Sequence, residues 1–147
     1  MLNRLTPIVK HLVLINVVVF LILNIAQMRF QEAIFSNYFV AYSVLFKSNL
    51  FHPVQIVTHF FAHIDPIHLI FNMFGLAMLG PAVEMVFGGK RFLRFYLFCG
   101  VVGGIFIYLF DPAPNPVLGA SGAIFGVIAA FAYNYPENEI SLFFMPP

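Results

Sequence analysis

Charged residues are scarce in this sequence. Of its 147 residues, 9% are Asp, Glu, Lys or Arg, whereas 61% are hydrophobic. Because an ordinary soluble domain carries about 25% charged residues, this composition excludes a typical soluble fold and indicates an integral membrane protein. The formal net charge of +1 argues for no particular partner, and we expect no nucleic-acid binding.

Cysteine and tryptophan are the other shortages. The single cysteine, Cys99, excludes a disulfide framework within the chain and is interpreted as a small buried hydrophobe. Because there is no tryptophan, any aromatic belt at the membrane surface has to consist of Tyr and Phe.

Long apolar runs are abundant instead. Four of them are long enough to cross ~30 Å of hydrocarbon at ~1.5 Å per residue, and they lie at about residues 12–28, 67–87, 92–110 and 117–135. The apolar residues near 140–147 are interpreted as the start of a fifth span. We therefore predict an all-α, polytopic membrane helical bundle that takes up the whole chain, residues 1–147.

The distribution of Lys and Arg predicts an orientation. If the N-terminus is cytoplasmic, five of these residues lie inside and two outside, as the positive-inside rule favours. We expect a multi-pass protein of an inner or plasma membrane. Residues 29–61, between the first two spans, are too aromatic for a plain linker. We predict short helices in the outer membrane interface there, with a partly buried hairpin outside the membrane as the alternative.

Two polar side chains lie in the second span. Asp65 and Pro66 are predicted to start this helix, as its N-cap and its first helical residue. His68 and Asn72 are four residues apart and therefore project from one face. Polar groups at membrane depth usually face a protein interior or a water-filled cavity. The pair either bridges helices by hydrogen bonds or belongs to a functional site.

Ser121 lies at the start of the fourth span, after a proline-rich loop at residues 111–116. The first N–H groups of a helix have no internal partner and lie at the positive end of its dipole. An oxyanion beside Ser121 would be stabilised by the Ser121 N–H, and by His68 and Asn72 if the second span packs there. One such donor contributes roughly 100-fold to 1000-fold in rate, so the pattern suggests an acyl-transfer site.

Glycines and one acidic residue mark structural positions. Gly119 is expected to let the loop turn tightly into the fourth span. Gly122 and Gly126 have the spacing that lets a neighbouring helix approach closely, and we expect that neighbour to follow the fourth span. Glu84, near the inner end of the second span, is expected to tie loops together rather than to take part in chemistry.

Three motifs resemble those of the rhomboid family of intramembrane serine proteases. "HFFAHIDPIHLIFN", residues 59–72, has the pattern H-x3-H-x4-H-x3-N. "GPAVEMVFG", residues 80–88, has the pattern G-x3-E-x3-G, and "GASG", residues 119–122, has the pattern G-x-S-G. Together and in this order the motifs are highly specific, and the resemblance covers the chain from about residue 51 as well as the first span.

The resemblance implies a serine endopeptidase that cleaves transmembrane helices of membrane proteins within the lipid bilayer and needs no cofactor. Ser121 would be the nucleophile, and His68 and Asn72 would stabilise the oxyanion. Structural roles are expected for six further residues, namely Gly119, Gly122, Gly126, Glu84, His59 and His63.

The general base departs from the family pattern. The resemblance implies a Ser-His dyad whose histidine comes from a sixth helix, but all five histidines of this chain precede Ser121. A serine hydroxyl is a weak nucleophile without an adjacent base, and His68 is not expected to be base and oxyanion donor at once. We therefore expect a rhomboid sequence that stops before its last two helices and is inactive as these 147 residues alone.

Two other classes of function are alternatives. A catalytically inactive rhomboid-like protein that binds transmembrane helices would account for the absent base. A histidine-based metal or haem protein is the second alternative, because His59, His63 and His68 lie within a stretch of ten residues. Since Asp65 and Pro66 interrupt the helix between these histidines, we expect no metal site.

Overall fold

The structure, a computed structural model, describes residues 5–29, 52–63, 65–110 and 118–137, with the side chains of 25–29 excepted. The helices are α1 (Pro7–Arg29), α2 (Gln55–Thr58), α3 (Pro66–Phe87), α4 (Gly89–Phe110) and α5 (Ser121–Asn134), and a 3-10 turn (His59–Phe61) follows α2. No strand occurs in these four ranges. The prediction of an all-α membrane bundle is confirmed.

Within the described ranges, three helices have the length and apolarity to cross a membrane, namely α1, α3 and α4. The fourth predicted span, 117–135, is helical over only 14 described residues, Ser121–Asn134. Helix α5 is therefore ~21 Å long, which is shorter than the ~30 Å hydrocarbon core. Gly119 is not helical, because its φ is +115° and its N–H donates to the His59 carbonyl at 2.9 Å. The predicted start of a fifth span lies outside the described residues.

Helix α5 packs against both α3 and α4, and α1 packs mainly against α3. The core of this arrangement is formed by fully buried side chains from these helices, including Val9, Leu76, Val83, Phe92, Tyr96, Ala123 and Val127. Since lipid tails are as apolar as these side chains, close packing rather than hydrophobicity alone has to hold the helices together.

The glycines of α5 pack on α4. A Cβ added to Gly122 would lie 3.7 Å from the Cα of Gly103, so the two backbones touch, and a Cβ added to Gly126 would collide with the Sγ of Cys99. The expectation that a helix after the fourth span packs here concerns residues outside the described ranges and stays a prediction. The described neighbour is α4, which precedes α5 and runs antiparallel to it.

Two other glycines of α4 pack against side-chain rings instead of against a helix. The spacing of Gly100 and Gly104 predicts helix–helix packing, yet a Cβ on Gly100 would lie 3.0 Å from the Phe60 ring. A Cβ on Gly104 would lie 2.6 Å from the His59 ring. The 3-10 turn is thus inserted against the C-terminal half of α4. The described part of the predicted interfacial segment, 52–61, contains short helices, and its placement at the membrane surface stays a prediction.

Glu84 fastens the C-terminal part of α3 to the start of α1. Its buried carboxylate accepts hydrogen bonds from the Ile8 N–H at 3.1 Å, the Val9 N–H at 2.9 Å and the Thr6 hydroxyl. These N–H groups have no partner within α1 and lie at the positive end of its dipole, so a carboxylate there is stabilising. The structure therefore shows a helix cap where the sequence suggested a contact between loops.

Glu84→Ala is expected to lower the free energy of unfolding by about 3 kcal/mol, because it leaves the α1 donors without their charged acceptor. Glu84→Gln keeps one acceptor oxygen and is expected to lose about half as much. The measurement is SDS-induced unfolding in mixed micelles, followed by far-UV circular dichroism. Glu137→Gln removes an exposed carboxylate and is the control. Equal stability of Glu84→Ala and Glu137→Gln would contradict the capping role.

Candidate active site

The candidate site lies at the end of the bundle where α3 and α5 begin. Asp65 is the N-cap of α3 and its carboxylate accepts the His68 N–H at 2.8 Å, while Pro66 occupies the first helical position. This start of α3 was predicted from the sequence. It places His68 and Asn72 one and two turns into the helix, on the face that meets α5.

Gly119 lies directly against both of these side chains. A Cβ added to Gly119 would lie 2.6 Å from Cε1 and 2.7 Å from Nε2 of His68, and 3.5 Å from Nδ2 of Asn72. Only glycine fits this position, because any side chain would enter the imidazole ring and because φ is +115°. The structure thus brings His68 and Asn72 to the backbone two residues before Ser121.

Asn72 is buried, and its Nδ2 has no hydrogen-bond partner among the described residues. The residue is 7% exposed, and its Nδ2 is unpaired among the described residues. An unpaired buried donor is unfavourable by about 1–3 kcal/mol, so such groups are rare in stable folds. This observation argues against the interpretation that Asn72 only bridges helices. The amide is free to donate to a group that enters the site.

Ser121 begins a helix that no side chain of the described residues caps. The N-cap residue is Ala120, which offers no side-chain acceptor, and Ser121 itself is half-buried. Asp65 caps α3, and Glu84 caps α1. The first N–H groups of α5 therefore have no acidic side chain of their own and lie at the positive end of its dipole.

The residues before α3 hold the loop that leads into α5. The His59 carbonyl accepts a hydrogen bond from the Gly119 N–H at 2.9 Å. Nε2 of His63 accepts one from the Ala120 N–H at 3.5 Å. Nδ1 of His59 lies 2.8 Å from the Gln55 carbonyl, so this nitrogen carries the ring proton. Burial lowers the pKa of His59, which keeps the ring neutral.

His63 is held neutral by its surroundings. Burial is the larger cause and the adjacent His68 ring the second, and together they lower the pKa of His63 to about 4. The two rings meet edge to face with centroids 5.2 Å apart. A neutral His63 retains the lone pair on Nε2 that the Ala120 N–H needs, whereas a protonated ring would present a second donor.

The histidines do not form a metal site in the described part of the chain. No group of three or more His, Cys, Asp or Glu side chains is close enough there to hold a metal ion. His59 and His63 have helical spacing, but the 3-10 turn ends at Phe61. The His59 ring consequently faces Gly104, and the His63 ring faces Ala120.

Some residues that shape the site were not identified from the sequence. Gly103 allows α5 to touch α4, and the ring of Phe60, fully buried against Gly100, seats the 3-10 turn. The signal for these contacts in the sequence is the glycine pair at 103–104. The pair does not indicate that Gly103 contacts a helix, α5, whereas Gly104 contacts the side-chain ring of His59. Gln55 is also almost fully buried, and its Oε1 accepts the His52 N–H at 3.2 Å.

The geometry defines a helical membrane protein with a serine at the start of α5, two residues after a glycine that contacts the half-buried His68 imidazole and the buried Asn72 amide. Residues 50–147 match the sequence profile of the Rhomboid domain. The chain therefore belongs to the rhomboid family and is a multi-pass membrane protein.

Several relatives are similar to this chain. Rhomboid protease GluP of Bacillus subtilis is 43% identical over 85 residues, which cover 58% of this chain and 16% of GluP. Rhomboid protein 1, mitochondrial, of Saccharomyces cerevisiae is 31% identical over 71% of this chain and 32% of its own length. RHOMBOID-like protein 12, mitochondrial, of Arabidopsis thaliana is 30% identical over 95% of this chain and 45% of its own length. The chain thus spans less than half the length of each relative.

Gly119→Ala is expected to lower the free energy of unfolding by about 3 kcal/mol, because the new methyl group would overlap the His68 ring and the backbone would be strained. The measurement is SDS-induced unfolding in mixed micelles. Gly75→Ala is the matched control, since its Cβ would make an ordinary contact, 3.5 Å from Ile124, within a regular helix. If Gly119→Ala is as stable as Gly75→Ala, the assigned contact with His68 is wrong.

His63 is expected to make the stability fall at acidic pH. The unfolded ring takes up a proton near its ordinary pKa of 6.5 and the folded ring only near 4. Between these values the unfolded state binds more protons, so stability is complete above pH 6.5 and decreases towards pH 4. Unfolding midpoints across this range should fall less steeply for His63→Gln than for the unchanged chain. Identical slopes would contradict the assignment.

Proposed function

We propose that this chain carries the nucleophile and the oxyanion site of an intramembrane serine endopeptidase. Ser121 attacks the carbonyl carbon of a peptide bond, and the Ser121 N–H, His68 and Asn72 bind the resulting oxyanion. The observation that carries the proposal is the buried, unpaired Nδ2 of Asn72 beside the loop that leads to Ser121. Family membership supports the same reaction class, since relatives such as GluP are named as proteases.

The chemistry follows from where negative charge develops. Attack by the serine oxygen converts a neutral carbonyl into a tetrahedral oxyanion, and fixed donors that meet this charge lower the barrier. The first turn of α5 supplies a backbone N–H and the positive end of a helix dipole. His68 and Asn72 reach Gly119 from α3. These contacts support the proposal that their side-chain donors and the Ser121 N–H bind one oxyanion.

His68 is proposed as a donor and not as the general base. A donor to the oxyanion has to carry a proton on the nitrogen that faces it, whereas a base has to accept the serine proton on that nitrogen. Nε2 of His63 already accepts the Ala120 N–H. We assign no described residue as the base, and the proposed Ser-His dyad requires a histidine other than these two.

The proposed substrates are transmembrane helices of other membrane proteins. Helix α5 is ~21 Å long and cannot cross the ~30 Å hydrocarbon core, so a helix start recessed from one surface is expected. A peptide bond that reaches Ser121 would then have to enter from the bilayer or from a cavity within it.

A rhomboid-like protein that binds transmembrane helices without cleaving them is the second candidate. The observation in its favour is that none of the described histidines is assigned as a base for Ser121, since Nε2 of His63 accepts the Ala120 N–H and His68 contacts Gly119. The two candidates differ in whether the oxyanion site works when a base is supplied from outside.

We expect the 147-residue chain to be inactive on peptide substrates and to react slowly with a fluorophosphonate probe, because we assign none of its described residues as the base for Ser121. Added imidazole supplies that base and should accelerate labelling of Ser121. Asn72→Ala should slow this rescued labelling by about 100-fold without loss of stability, because the amide that it removes is unpaired. In-gel fluorescence over time measures the rate.

Two controls accompany this experiment. Ser121→Ala should abolish labelling, and Asn134→Ala should leave the rate unchanged, since this amide donates to the Ala130 carbonyl at the far end of α5. Labelling that persists in Ser121→Ala would contradict the proposed nucleophile. A full rate in Asn72→Ala would contradict the oxyanion site, and no labelling with imidazole would favour the non-enzymatic candidate.

A further inference from the structure

Exposed cations gather at the end of the bundle opposite the candidate active site. This cationic patch consists of four exposed side chains in the first two turns of α1 and α4, namely Lys10, Lys90, Arg91 and Arg94. The two helix ends are adjacent, because a Cβ on Gly89 would lie 3.2 Å from Cγ1 of Ile8. The charges of α1 and α4 thus belong to one surface.

At this end of the bundle the four exposed cations outnumber the described carboxylates, which are the buried Glu84 and the exposed Glu137 just after α5. The first turns of α1 and α4 contain no acidic residue. The buried carboxylate of Glu84 points inward to Thr6 and the N–H groups of α1. Positive side chains at the N-terminal end of a helix are repelled by its dipole, so Lys90 and Arg91 lie where the helix itself disfavours them. A bound anion would relieve this repulsion.

Exposed apolar side chains follow the cations one turn deeper. Leu14 lies four residues after Lys10 and is 56% exposed, and Phe98 lies four residues after Arg94 and is 65% exposed. Residues four apart share a helix face and are ~6 Å apart along its axis. With Leu14 and Phe98 in hydrocarbon, the cations lie at the level of lipid phosphates.

We propose that the cationic patch binds the phosphate headgroups of acidic phospholipids between the N-terminal ends of α1 and α4. Basic clusters beside membrane spans attract anionic lipids, and arginine pairs with phosphate through two parallel hydrogen bonds. The apolar side chains below the patch contact the acyl chains of the same lipid. A soluble phosphate ion would use the charges alone, so the paired arrangement favours a lipid.

The test measures the preference of the reconstituted 147-residue chain for a spin-labelled phosphatidylglycerol over a spin-labelled phosphatidylcholine in a phosphatidylcholine bilayer. A preference of about fivefold or more is expected, because one Lys or Arg near the membrane surface contributes about fivefold in binding. The variant Lys10→Gln/Lys90→Gln/Arg91→Gln/Arg94→Gln removes all four charges and should bring the two lipids close to equal. The variant Lys90→Arg/Arg91→Lys keeps the charges and should retain the preference.

Three outcomes would overturn the proposal. The first is that the unchanged chain shows no preference for phosphatidylglycerol. The second is that the neutralised variant keeps the full preference while its far-UV circular dichroism is unchanged. The third is that inorganic phosphate abolishes the preference at an ionic strength where chloride does not. The last result would identify a free anion as the ligand. Arg94→Gln alone is a milder variant, and it should reduce the preference partly.

Discussion

The position of α5 depends on the contact between Gly119 and the residues that lead into α3. The Gly119 N–H donates to the His59 carbonyl, and its α-carbon lies against the His68 ring. A side chain here would occupy the volume of that ring, so the approach is possible only without one. Because Ser121 is two residues away, the same contact determines where the serine lies relative to Asn72.

The first N–H groups of α1, α3 and α5 differ in whether a side chain accepts their hydrogen bonds, and this difference bears on the proposed reaction. The start of α1 is capped by the buried carboxylate of Glu84, and the start of α3 by Asp65. The start of α5 has Ala120 at its N-cap and no side-chain acceptor. A cap there would neutralise the N–H groups that the proposed oxyanion needs, so the absence of a capping side chain at α5 fits the proposed reaction.

Much of the architecture could be predicted from the sequence. The scarcity of charge and the lengths of the apolar runs predicted a helical membrane bundle, and Asp65 with Pro66 predicted the start of α3. The spacing of His68 and Asn72 predicted that they share a face. The partners of small residues could not be predicted, since a glycine provides space and the sequence does not state what fills it. Gly122 therefore meets Gly103, whereas Gly104 meets the His59 ring.

By itself, the sequence determined the helical class, the membrane environment and the residues available for chemistry, because hydrophobicity and helical periodicity are local properties of the chain. Only the tertiary structure decided that α5 begins at Ser121, that Nδ2 of Asn72 is buried without a partner among the described residues, and that His63 faces Ala120. These features depend on contacts between residues about 50 to 60 positions apart, and such contacts form only when helices pack at a specific separation and rotation.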